Sequence, residues 1–276
     1  MFERIMVPVD GSELAERALG YVERIAPITG ATIHLVEVVQ VLPSPALSYV
    51  PTVVPEGAYE AGEEEAAGYL VAMRQRLAAA GVGDVRAVEL DGEPASRLLD
   101  YEREANIDLV VMCSHGRTGM ARFALGSVAE RLIQYGAIPV VLVRAFGEVA
   151  VPRHVLVPLD GSERAEAALD TVERLPTGIV REVTLLRVIR SAEEGSEADR
   201  YLQGIAGRLQ RVNLEAHRRV EQGDPAQRIV EAAGSDKFVV MTTHGRTALT
   251  RWALGSVAER VVRGGVSAVM LVRRPG

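Results

Sequence analysis

The chain is written twice. Ile5 to Leu19 (IMVPVDGSELAERAL) aligns with Val155 to Leu169 (VLVPLDGSERAEAAL) at an offset of 150, with ten of fifteen positions identical. Ser114 to Leu132 (SHGRTGMARFALGSVAERL) aligns with Thr243 to Val261 (THGRTALTRWALGSVAERV) at an offset of 129, with thirteen of nineteen identical. An internal repeat constrains the fold before any local propensity is weighed. Each copy has a usual size for one α/β domain, so domains are expected over 1–147 and 152–276 with a short linker near Phe146 to Pro152. The offset falls from 150 to 129, so the first half carries 21 extra residues. Most of them lie in Val41 to Gly62, an insert with Pro43, Pro45, Pro51 and Pro55 that reads as a long loop with no element of its own.

Within each half, short apolar runs alternate with amphipathic ones. In the first half strands are expected at Arg4 to Val9, Ala31 to Val39, Asp84 to Leu90, Asp108 to Met112 and Pro139 to Arg144. Helices are expected at Ser12 to Ala26, Glu60 to Ala80, from Pro94 onward, and at Ser127 to Tyr135. The second half repeats the strands at Val155 to Leu159, Arg181 to Ile189, Asn213 to Val220, Phe238 to Met241 and Ala268 to Val272. Buried-type strands alternating with helices specify a parallel sheet covered on both faces by right-handed crossovers. Each half is therefore expected to be a doubly wound α/β domain.

Composition narrows the function. The 276 residues are 48% hydrophobic and 25% charged, enough to bury a sizeable core. No apolar run approaches the ~18 residues of a membrane span, and Asp10 and Glu13 interrupt any early leader, so a cytoplasmic location is expected. One cysteine, Cys113, makes no internal disulfide, and five scattered histidines give no zinc spacing. The formal charge of -6 opposes a basic nucleic-acid surface, and 4% aromatic residues leave few stacking platforms for a strand or a flavin ring. Lys237 is the sole lysine and stands outside any Walker-type loop. The dinucleotide fingerprint is absent too, since Gly81-Val82-Gly83 precedes a strand and has no third glycine.

Chemistry in such a sheet sits beyond the carboxyl ends of the strands, at the point where the winding reverses. Both repeated blocks fall there. The first ends strand one on Asp10-Gly11-Ser12; the second leaves strand four through Cys113-Ser114-His115-Gly116, runs nine residues, and enters a helix at Gly126-Ser127. Glycines at both ends let backbone N–H groups approach a ligand, and a helix N-terminus adds unpaired donors and a positive dipole, which suits a polyphosphate. The Ser127 hydroxyl, the N–H groups of Ser127 and Val128, and the Arg117 guanidinium are the candidate donors. His244, Gly245, Arg246, Gly255, Ser256 and Val257 repeat the set.

On these motifs each half resembles a universal stress protein domain, whose signature is G-x2-G-x9-G-[S/T] after strand four with an Asp closing strand one. Gly116, nine residues, Gly126 and Ser127 carry it in the first half, and Gly245, nine residues, Gly255 and Ser256 in the second. The resemblance implies five strands per domain in the order 3-2-1-4-5 and pairing of two domains through strand five, which the two halves of this chain would supply as an internal pseudo-dimer; a homodimer is a further option. It also implies an adenine nucleotide, ATP with Mg2+, with Asp10 and Asp160 in the adenosine pocket and Val38 and Val188 against adenine. Cys113 and Thr242 stand where the pattern has its first glycine. A side chain there narrows the loop, so a nucleotide-free interaction module stays open beside ATP binding.

Simpler readings accompany these residues. Asp10 with Glu13, Asp160 with Glu163, Ser127 with Glu130 and Ser256 with Glu259 all have helix-capping spacing. His115 and His244 have no carboxylate or nucleophile spaced to orient them, so loop packing or a hydrogen bond to ligand is expected in place of acid–base work. Cys113 reads as a small hydrophobe, Arg122 and Arg251 as solvated loop arginines, and Glu63 to Glu65 as an exposed helix start. Nothing resembles a positioned general base, so any ATP hydrolysis should be slow and an enzyme rests on fold analogy alone.

Overall fold

The two alternating patterns merge into one sheet. The computed structural model describes residues 2–39, 58–114, 125–144, 151–175, 178–243, 254–264 and 268–273. The first half runs β1 (Arg4–Val9), α1 (Arg17–Thr29), β2 (Thr32–Val39), α2 (Ala58–Ala79), β3 (Val85–Asp91), α3 (Pro94–Glu104), β4 (Leu109–Cys113), α4 (Ser127–Tyr135) and β5 (Val140–Val143). The second runs β6 (His154–Pro158), α5 (Glu163–Arg174), β7 (Glu182–Ile189), α6 (Gly195–Gln210), β8 (Ala216–Gln222), α7 (Pro225–Ala233), β9 (Phe238–Thr242), α8 (Ser256–Arg263) and β10 (Ala268–Val272). Strand order across the sheet is β3-β2-β1-β4-β5-β10-β9-β6-β7-β8. Each half thus has the expected 3-2-1-4-5 order, with parallel pairing throughout. No described helix is long and apolar enough to cross a membrane.

The seam between halves is the one antiparallel pair among the described residues, Ala268 to Leu271 of β10 against Val143 to Val140 of β5. All four β5 residues are buried, so this edge is both a hydrogen-bonding ladder and an apolar row. Side chains reinforce it. Tyr21 of α1 stacks on Phe238 of β9 with ring centroids 5.8 Å apart, and both rings are shielded from solvent. The Arg174 guanidinium lies 4.7 Å over the Phe2 ring, and Arg273 donates to the Gly136 carbonyl at 2.8 Å. One apolar core, including Leu19, Leu35 and Leu77 of the first half and Leu169, Leu185 and Leu209 of the second, runs along one face. A second core packs α3, α4, α7 and α8 on the other face.

Proline and acid residues set the helix starts. Pro94 and Pro225 each occupy a first-turn position, where a missing N–H leaves nothing unsatisfied. Glu93 caps α3 through the Ala95 and Ser96 amides, and Asp224 caps α7 through the Gln227 amide. Two expectations need correction. The first helix begins at Arg17 and not at Ser12, because Arg17, Ala18 and Leu19 donate to Leu14, Ala15 and Glu16 in tight three-residue turns before the wider helical pattern sets in. The insert is not free of structure at its end, since residues 58–62 already belong to α2; beyond the last proline of that stretch the composition turns to Ala and Glu, good helix formers. Residues 41–57 of the insert and 146–150 of the linker lie outside the described residues.

A fragment of residues 1–147 loses β10 and exposes the β5 edge together with the Tyr21 contact surface. Unpaired apolar edges template pairing, so this fragment is expected to dimerise in analytical ultracentrifugation. A fragment that stays monomeric as its concentration is raised would contradict the seam.

Candidate functional site

The carboxyl ends of β1 and β4 part at the winding reversal, and a cleft of about 600 Å³ opens there in the first half. That volume lies inside the range of small-molecule sites, about 300 to 1,000 Å³. Its floor includes Asp10, Val38 and Cys113, and one wall is the start of α4 with Gly126, Ser127 and Val128. The sequence reading therefore brought together six of the residues it singled out. Asp160, Val188, Thr242, Gly255, Ser256 and Val257 take the corresponding places in the second half. His115, Gly116 and Arg117, their counterparts His244, Gly245 and Arg246, and Arg122 and Arg251 lie outside the described residues.

Local geometry explains how the two Asp residues are held. Asp10 Oδ1 accepts from the Ser12 amide at 3.1 Å and from its hydroxyl at 2.6 Å; Asp160 does the same with Ser162 at 3.0 and 2.6 Å. The chain can turn this sharply because Gly11 and Gly161 adopt φ of 74° and 77°, a left-handed conformation that side chains disfavour. In the second half the helix cap is Ser162, whose Oγ accepts from the Ala165 amide at 3.2 Å. The capping reading of Asp160 is thus corrected: the aspartate holds the capping serine and does not cap.

The loop after β4 is pinned at its neck. The Gly126 amide donates to the Ser114 carbonyl at 2.9 Å, and the Gly255 amide to the Thr243 carbonyl at 2.8 Å. Gly126 and Gly255 are the N-cap residues of α4 and α8, and no side chain caps either helix. The capping-box reading of Ser127 and Ser256 is therefore overturned. Each serine is the first helical residue, one position too late to cap, and each is exposed. The effect is to place the start of α4 at the cleft with the Ser127 hydroxyl beside its N-terminal amides, an arrangement that favours an anion. An ion pair between Arg131 and Glu93 at 2.7 Å ties α4 to α3, and a bidentate pair between Arg260 and Asp224, both contacts at 2.8 Å, ties α8 to α7.

Two cleft residues were missed by sequence reasoning, Glu37 of β2 and Tyr69 of α2. The Tyr69 hydroxyl is buried and makes no hydrogen bond among the described residues. Burial, and after it the carboxylates of Glu16, Glu37 and Asp10, push its pKa well above the ordinary phenol value, so it is a neutral donor. An unmet buried donor costs about 1 to 3 kcal/mol, which a ligand acceptor would relieve. A signal was present: Tyr69-Leu70 recurs as Tyr201-Leu202, each three residues after an alanine, at positions Ala66 and Ala198. Cys113 is buried and lines the cleft, consistent with a packing thiol. Among the described residues no group of three His, Cys, Asp or Glu could hold a metal ion.

Doubly wound halves, a sheet joined through strand five and a glycine-flanked cleft at the winding reversal define a class that comparison with known proteins makes specific. The universal stress protein family model matches residues 1–144 and again 152–273, and the chain belongs to that family. A universal stress protein of Mycolicibacterium smegmatis is 30% identical over 291 residues, covering 98% of this chain and 96% of its own length. One from Methanocaldococcus jannaschii is 30% identical over 148 residues, covering 52% of this chain and 83% of its own. The crystal structure of a universal stress protein from Archaeoglobus fulgidus superimposes with a TM-score of 0.74 at 22% identity, covering 98% of this chain and 96% of that one, which supports the fold.

Replacing Ser162 with Ala should cost about 1 kcal/mol in urea unfolding, the worth of a lost cap. Ser127→Ala should stay within about 0.5 kcal/mol of the parent. A comparable loss in both would return Ser127 to a capping role.

Proposed function

We propose that the first-half cleft holds an adenine nucleotide, ATP with Mg2+, and that the chain acts in the stress response by binding it. The observation that supports this most is the convergence of Asp10, Val38, Gly126, Ser127 and Val128 on one cleft, since these are the positions that the family pattern assigns to nucleotide in its nucleotide-binding members. In this reading Val38 packs against the base, Asp10 accepts from ribose hydroxyls, and the Ser127 and Val128 amides with the Ser127 hydroxyl receive phosphate oxygens. The Tyr69 hydroxyl finds an acceptor on the ligand. Mg2+ arrives with the phosphates and offsets their charge, which matters in a cleft whose lining includes Asp10, Glu37 and Glu65. Arg117 adds a guanidinium from the loop. In this reading the chain binds and orients the nucleotide and turns it over slowly at most.

Cys113 in the lining favours a second reading, a nucleotide-free pair of domains that contacts other proteins. Calorimetric titration decides between them. The purified protein should bind Mg-ATP, Asp10→Asn should weaken binding about tenfold or more, the scale of one lost charge-assisted hydrogen bond, and Cys113→Gly should tighten it by widening the loop. No binding of ATP, ADP or AMP at millimolar ligand by either the parent or Cys113→Gly overturns the nucleotide reading.

A further inference from the structure

The two halves share their scaffold but not the side chain that crosses it. Leu35 pairs with Val7 and Leu185 with Val157, so Glu37 and Arg187 occupy one and the same position in the two copies. Val9 ends β1 and its counterpart Leu159 directly follows β6, and Tyr69 and Tyr201 lie on α2 and α6, the helices that cover that face. In the first half, Val9, Glu37 and Tyr69 are walls of the open cleft. In the second, Arg187 Nη1 donates to the Leu159 carbonyl at 3.3 Å, and its guanidinium carbon lies 5.9 Å from the Tyr201 ring centroid. The guanidinium therefore stretches from one wall to the other, across the space that stands open in the first half.

The surrounding hydrogen bonds differ in the same sense. Tyr201 donates to Glu166 Oε1 at 2.9 Å, so the second-half phenol is satisfied within the protein. The first-half equivalent of Glu166 is Glu16, which is taken by Arg76 at 3.0 Å, and Tyr69 is left with no hydrogen bond among the described residues. A ligand entering the second half has to displace a charged side chain from both a carbonyl and an aromatic face, and it gains no orphaned donor in return. A ligand entering the first half meets an open volume and an unmet donor.

We infer that the second half is a closed copy of the site, plugged by Arg187, and that the chain binds one nucleotide, in the first half alone. This rests on the nucleotide reading above. The test combines calorimetric titration with Mg-ATP and photolabelling with azido-ATP followed by peptide mapping, on the full chain and on Arg187→Ala, Glu37→Arg and the double variant. The parent should bind one ATP per chain and carry label only in first-half peptides. Arg187→Ala should bind two. Glu37→Arg, which installs the plug in the first half, should lose the site, and the double variant should carry label in the second half only. Two sites in the parent, label in its second half, or a single site remaining in a folded Arg187→Ala protein overturns the closed copy and leaves nucleotide binding standing. If Arg187→Ala does not fold, Glu37→Arg decides alone: retained first-half binding overturns the role of this position. Absence of nucleotide from all four proteins overturns both readings together.

Discussion

The position of β1, parallel to β2 on one side and to β4 on the other, governs everything at the site. Crossovers run to either side of β1, so no described helix covers the crevice between the ends of β1 and β4. Only there can a strand-end carboxylate, Asp10, and an uncapped helix start, Gly126 to Val128, face each other across open space. The apolar registers that fix β1 in place, Ile5 beside Leu109 and Met6 beside Val110 on one side and Ile5 beside Ile33 on the other, are core contacts first. The binding geometry is a by-product of how a doubly wound sheet buries its hydrophobic strands.

Duplication adds a second constraint. Joining β5 to β10 removes two exposed edges at once and ties the halves through Tyr21 and Phe238 as well as through the ladder. Once the seam and the two cores carry stability, the cleft positions are no longer needed in both copies for folding. Glu37 and Arg187 occupy the same strand position with opposite charge: Glu37 lines the cleft in one copy, while in the other the guanidinium lies between the Leu159 carbonyl and the Tyr201 ring. The acidic chain as a whole is no obstacle to a polyphosphate, because the donors at α4 are backbone amides and not bulk positive charge.

Much of this was legible in the sequence. Buried-type strands such as Val110 and Val111 or Val239 and Val240 alternate with amphipathic helices, and that pattern alone gives the layers; the glycine-flanked motif and the two Asp residues locate the winding reversal. The misreadings share a cause. Ser127-x-x-Glu130 has the spacing of a capping box, but spacing does not reveal that Gly126 takes the N-cap place and shifts the serine into the helix. Tyr69 and Glu37 were hidden because a site wall built from two elements far apart in sequence has no local signature. Comparing the copies position by position would have flagged both, since Tyr69 repeats as Tyr201 and Glu37 reverses sign at Arg187.

The most direct measurement is a crystal structure of the full chain grown with Mg-ATP. Nucleotide density between Asp10 and Gly126, with Arg187 still lying against Tyr201 and Leu159 in the other half, is the predicted result. Nucleotide density between Asp160 and Gly255 would contradict the asymmetry of the halves, and an empty first cleft at saturating nucleotide would contradict the proposed function itself.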